Sequence, residues 1–180
     1  MIRLPIPSLT GLMTERLVFR RLVLPDVEWW MEYINSAEAI RFMPFKPGNR
    51  ADCEMMVRRS LDRYVQDGSG LNAILLRDGE VPVGQCGLLT QEVDGVAELE
   101  VGYHLLPSHW GKGYASEAAI ACKRHALENG LAPSVISLID PSNQRSQAVA
   151  RRNGMVREKL TTYRGVPAHV WRTRVDPAQG

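Results

Sequence analysis

The run Trp110-Gly111-Lys112-Gly113-Tyr114-Ala115-Ser116-Glu117-Ala118 constrains the fold more than any other stretch. It follows a strand-like run, 96–106, that Pro107 closes. It opens a helical run, about 112–129, with Gly130 just past the helix end. A strand that turns through glycines into a helix belongs to a sheet with helices packed on it. The same turn presents free N–H groups at the positive end of a helix dipole, which suits a phosphate or pyrophosphate. Read alone, the segment is equally a plain turn. It matches neither the GxxxxGK phosphate loop nor the dinucleotide pattern GxGxxG.

The other elements follow from periodicity. Residues 14–24 read as a strand, Leu17, Phe19 and Arg21 alternating with Val18, Arg20 and Leu22. Pro25-Asp26 opens a helix with Val27, Trp30, Met31 and Ile34 on one face. Residues 42–50 hold two prolines and a glycine and read as a loop, and 51–66 as a second amphipathic helix. Strands 71–76 and 81–91 flank the turn Arg77-Asp78-Gly79-Glu80, and Asp94-Gly95 leads into 96–106. Then come a strand at 135–139, a helix from Asn143 to Asn153 with Gly154 beyond it, and strands 156–163 and 168–175 around Arg164-Gly165. The order is β-α-α-β-β-β-α-β-α-β-β. Hairpin-linked strands are expected antiparallel, and strands separated by a helix parallel. This is an α/β chain with a mixed central sheet of about seven strands and helices on both faces. No repeat or linker divides it, so one domain is expected over 1–180, with its core at about 14–175.

Composition narrows the function classes. With 44% hydrophobic and 23% charged residues, 180 residues suit one globular core. A net charge of +2 argues against a protein that coats nucleic acid. From Asp140 onward eight Arg or Lys face three acids, either a solvated face or an attraction for an anionic ligand. Cys53, Cys86 and Cys122 are isolated, which argues against a metal site or disulfide framework and fits a reducing cytoplasm. Residues 1–10 lack the apolar core of a signal peptide, and no run approaches the length of a membrane span.

A second constellation, Asn143-Gln144-Arg145-Ser146 through Asn153-Gly154, pairs a natural N-cap with a closing glycine. Together and in this order, the two segments resemble the GNAT N-acetyltransferase superfamily. Gly111 to Ala118 resembles its acetyl-CoA pyrophosphate loop, with Trp110 where the family has Gln or Arg. Asn143, Ser146 and Gly154 resemble its second cofactor motif. Glu98-Leu99-Glu100-Val101-Gly102-Tyr103-His104-Leu105 resembles the strand beside the pantetheine arm. The wording WGKGYASEA and the start Thr14-Glu15-Arg16-Leu17-Val18-Phe19-Arg20 lean toward the branch of ribosomal-protein N-terminal acetyltransferases.

The resemblance implies acetyl-CoA as co-substrate and no metal. It implies that Gly111, Lys112, Gly113, Tyr114 and Ala115 give backbone N–H groups to the pyrophosphate. Tyr103, His104 and Leu105 would hold the pantetheine through their backbone, and Asn143 through its side chain. The acceptor is a primary amine, on a protein N-terminus or a small molecule, with neither nucleic acid nor membrane as partner; a homodimer is compatible. Attack is direct, since Cys86 and Cys122 lack a His-plus-acid pattern. A base must take a proton from the amine. Glu100 is the first candidate, with Glu98 and His104 on the same strand face as alternatives. Many members carry a thiolate-protonating Tyr where this chain has Ala150, and Ser146 is the replacement. The acceptor side falls to the first two helices, the 42–50 loop and the C-terminal hairpin, where Trp29, Trp30, Tyr33, Phe42, Phe45, Tyr163 and Trp171 offer aromatic walls. Three alternatives remain at this level: another acyl-CoA as donor, a catalytically silent CoA-binding regulatory module, and an interaction scaffold without CoA.

Overall fold

The computed structural model describes residues 1–78 and 81–174. One seven-stranded sheet runs in the order β1-β2-β3-β4-β5-β7-β6. Its strands are β1 (Leu17–Arg21), β2 (Gly70–Leu76), β3 (Pro82–Val93), β4 (Val96–Leu105), β5 (Ser134–Ile139), β6 (Val156–Tyr163) and β7 (Val166–Arg174). The helices are α1 (Val27–Asn35), α2 (Arg50–Gln66), α3 (Tyr114–Glu128) and α4 (Gln144–Arg152). The element order is the one that periodicity predicts, and the sheet is mixed.

Helices cover both faces. Leu71, Ala73 and Leu75 of β2 pack with Trp30, Ile34 and Val57 of α1 and α2. On the other face, Leu99 and Val101 of β4 pack with Cys122 and Ala126 of α3 and Ala150 of α4. Trp30 and Ile34 are fully buried, and each such side chain contributes roughly 1.5–3 kcal/mol.

One expectation about strand direction fails. β1 and β2 are separated by two helices, yet they pair antiparallel, Leu17 with Leu76 and Arg21 with Asn72. The two-helix excursion returns the chain to the end of β1 that it left, so it acts as a long hairpin. A single crossover helix behaves as expected: α3 joins β4 to β5, and that pair is parallel. β1 is shorter than the predicted strand. Thr14 turns back on Leu17 through hydrogen bonds of 2.9 and 3.0 Å, and Leu24–Asp26 form a 3-10 turn before α1. α2 starts one residue early because Asn49 caps it, its side chain accepting from Ala51 N–H. The predicted turn at Arg77-Asp78-Gly79-Glu80 and the strand end at Val175 fall partly outside the described residues.

Candidate active site

α3 begins at Tyr114, two residues later than predicted, because Gly113 sits at φ 83° and acts as its N-cap. Gly111 is also left-handed, at φ 75°, so glycine is needed at both positions. Among the described residues, the backbone N–H groups of residues 111–116 have no carbonyl partner; the first helical bond runs from Glu117 N–H to Gly113 C=O at 3.1 Å. Gly111, Lys112 and Gly113 are exposed, and Tyr114 and Ala115 half-buried. The run therefore forms a set of free donors at a helix N-terminus.

A brace that local sequence signals do not show holds this loop. Arg16 donates to the Lys112 carbonyl at 2.9 Å and to Glu117 Oε2 at 2.7 Å. Thr14 Oγ1 and the Arg16 N–H both donate to Glu117 Oε1, at 2.5 and 2.9 Å. The Arg16 guanidinium also stacks 4.6 Å from the centre of the Tyr114 ring. These residues lie about a hundred positions apart, beyond any periodicity.

Beside the loop, the sheet opens. β4 and β5 share one registered pair, Glu100 with Ile136, and diverge beyond it. Ser137 Oγ donates across the gap to Val101 C=O at 2.8 Å. The backbone of Tyr103 to Leu105 lies along this opening, but the Leu105 carbonyl is engaged by Trp110 Nε1 at 2.8 Å. The Tyr103 hydroxyl donates to the Ser146 carbonyl at 2.8 Å, which brings α4 to the same opening. Asn143 Oδ1 accepts from Ser146 N–H at 3.1 Å, and its amide nitrogen has no partner among the described residues. Ala150 is fully buried in the core, one turn beyond Ser146. Arg145 lies over Trp110, 4.3 Å from the ring centre, and pairs with Glu38.

The opposite face of β4 carries the carboxylates. Glu100 is buried and accepts from Gln91 Nε2 at 2.6 Å and Leu138 N–H at 3.2 Å. Gln91 Oε1 accepts in turn from the Tyr163 hydroxyl at 2.5 Å and from Arg63 at 3.4 Å. Burial pushes the Glu100 carboxyl up, opposed by those hydrogen bonds and by the Arg63 and Arg164 charges. Glu98 is engaged elsewhere: Arg172 binds both its oxygens, at 2.6 and 3.0 Å. This ion pair commits both carboxylate oxygens of Glu98 to Arg172. His104 lies on the Glu100 face with Nδ1 3.1 Å from the Tyr33 hydroxyl. Tyr33 gives its own proton to the Ala39 carbonyl at 2.9 Å, which assigns the N–H to His104 Nδ1. Burial lowers the His104 pKa to about 4, so the ring is neutral near pH 7.

A sheet split beside a helix N-terminus, with a buried carboxylate across the strand, has the outline of an acyl-transfer site. Residues 16–156 match the acetyltransferase (GNAT) domain model, and the chain belongs to the GNAT acetyltransferase family. YkkB, an uncharacterized protein of Bacillus subtilis, is 40% identical over 79 residues, 44% of this chain and 45% of that protein. The match therefore spans about half the length of that relative. An acetyltransferase from Agrobacterium tumefaciens superposes with a TM-score of 0.76 at 28% identity, covering 94% of this chain and 95% of that one. RimL, a ribosomal L7/L12 alpha-N-protein acetyltransferase solved in complex with coenzyme A, shares the fold with a TM-score of 0.71 at 18% identity, over 91% of this chain and 96% of that one.

Proposed function

We propose that this acetyltransferase moves the acetyl group of acetyl-CoA to a primary amine by direct attack. The observation that carries the reading is the row of uncommitted N–H groups at 111–116, beside the β4–β5 opening and across the strand from Glu100. Gly111, Lys112, Gly113, Tyr114 and Ala115 would bind the pyrophosphate through their backbone. Tyr103, His104 and the Asn143 amide nitrogen would line the pantetheine, with a backbone N–H of the opening polarising the thioester carbonyl. RimL, of the same fold, was solved with coenzyme A, which supports this donor. The free thiols Cys53, Cys86 and Cys122 suit a reducing cytoplasm.

The amine nitrogen attacks the thioester carbon, and Glu100 takes the proton that the nitrogen loses, directly or through water. Glu100 is preferred because burial raises its basicity while Gln91 keeps it oriented. The C–S bond then breaks. The Ser146 hydroxyl, at the edge of the opening, donates a hydrogen bond to the leaving sulfur. The acceptor class is a protein N-terminus or a small-molecule amine.

The test is acetyl-CoA-dependent thiol release with N-terminal peptides, polyamines, amino acids and aminoglycosides. Turnover with any class, lost in the Glu100→Gln variant, supports the reading. Tight acetyl-CoA binding without turnover of any amine would overturn it in favour of a CoA-binding regulatory module.

A further inference from the structure

The sheet face that carries Glu100 borders a groove of about 710 Å3 between α2 and the β6–β7 turn. Arg58, Arg59 and Arg63 line it from α2, and Arg164 from the turn. Three acids share the groove, Glu54, Asp62 and Asp67. Asp67 is engaged by Thr90 Oγ1 and the Ser69 N–H, and Arg63 by the Thr90 carbonyl and Gln91. Glu54 reaches Arg50 at 3.4 Å. Arg58, Arg59 and Arg164 make no ion pair among the described residues, and against them stand Asp62 and Asp67, the latter hydrogen-bonded only to neutral groups. The groove thus holds more uncommitted positive charge than negative, in a cleft of small-ligand size.

Arg164 is also an unusual residue for its place. It sits at φ 50°, in the left-handed region that Gly, Asn and Asp tolerate best. The β3–β4 turn meets the same demand with Asp94 at φ 51° followed by Gly95, a favoured pair. An arginine held in a strained turn points to a role for its side chain. That side chain stacks 5.2 Å from the Tyr163 ring, and the Tyr163 hydroxyl joins the Gln91–Glu100 chain.

We propose that this groove selects amine acceptors that carry a carboxylate, the amine reaching Glu100 while Arg58, Arg59 and Arg164 hold the carboxylate. The inference rests on the transferase reading above and names its substrate class. Guanidinium groups grip carboxylates through paired, charge-assisted hydrogen bonds, and an acceptor with a second cation is repelled. A free acidic amino acid and a peptide with acidic residues after its N-terminus both supply this chemistry.

The experiment measures fluorescence anisotropy of C-terminally labelled Ala-Glu-Glu, Ala-Gln-Gln and Ala-Lys-Lys peptides on CoA-loaded protein, with thiol release followed in parallel. The acidic peptide is expected to bind at least tenfold tighter than the neutral one, and the basic peptide weakest. In an Arg58→Gln/Arg59→Gln/Arg164→Gln variant the acidic advantage falls below twofold while acetyl-CoA affinity is unchanged. Competition by free glutamate separates the amino acid from the peptide as the source. Equal or tighter binding of the neutral or basic peptide, or an acidic advantage that survives the triple variant, overturns the proposal. Thiol release reports separately: absence of turnover with every amine refutes the transferase reading, whereas the binding order alone decides the groove's selectivity.

Discussion

Glu100 stands between opposing influences. Burial raises its carboxyl, while Gln91, Leu138 N–H, Arg63 and Arg164 favour the ionised form, and burial prevails. As a base it must be ionised, so kcat/KM should rise with pH along a limb lying above the ordinary carboxylate range. Glu100→Gln should remove that limb and lower kcat about 10²-fold or more, read by thiol release across pH. The raised folded-state pKa has a sign for stability as well. The neutral carboxyl favours the fold, and this contribution is lost as pH rises through the folded pKa. Glu100→Gln should therefore melt no lower than the parent protein at alkaline pH. His104 has the opposite sign. Its folded pKa of about 4 lies below the ordinary 6.5, so stability is full above the unfolded value and is lost as pH falls from 6.5 toward 4. Replacing His104 with Gln should flatten the melting temperature across that window, measured by calorimetry.

At the scale of elements, the segment before β1 and the first turn of α3 form one device. Glu117 places a carboxylate beside the donors at 111–116, where it would repel an anion. Arg16 pairs with it and also engages the Lys112 carbonyl. Arg16→Ala should raise the KM for acetyl-CoA about tenfold, a loss of about 1.4 kcal/mol, with little change in kcat. Adding Glu117→Gln should recover part of that loss. A double variant worse than the single one would defeat the electrostatic account. The glycine loop and the Asn143 cap are legible in sequence because each is a local signal. The Arg16–Glu117 brace and the Gln91–Tyr163 bond are not, because their partners lie 101 and 72 residues apart. Glu98 illustrates the same limit: strand alternation places it on the Glu100 face, but only the fold shows Arg172 against it. The antiparallel β1–β2 pair was hidden for a related reason, since the direction of return depends on how two helices pack.

At the scale of the whole molecule, the mixed sheet, helices on both faces and element order are all written in the periodicity, while the opening between β4 and β5 is not. A ligand lying in that opening binds the folded state alone. Acetyl-CoA at a hundredfold excess over its Kd should stabilise the protein by about 2.7 kcal/mol, measured as a rise in melting temperature. The opening also changes how the sheet resists force and solvent. With one registered pair between β4 and β5, the sheet is two leaves that share a short spine. β5 lies in the middle of the strand order, yet past Ile136 its β4-facing amide at Leu138 is held by the Glu100 side chain and not by a strand backbone, so it should trade hydrogen for deuterium faster once Glu100 is replaced by Ala.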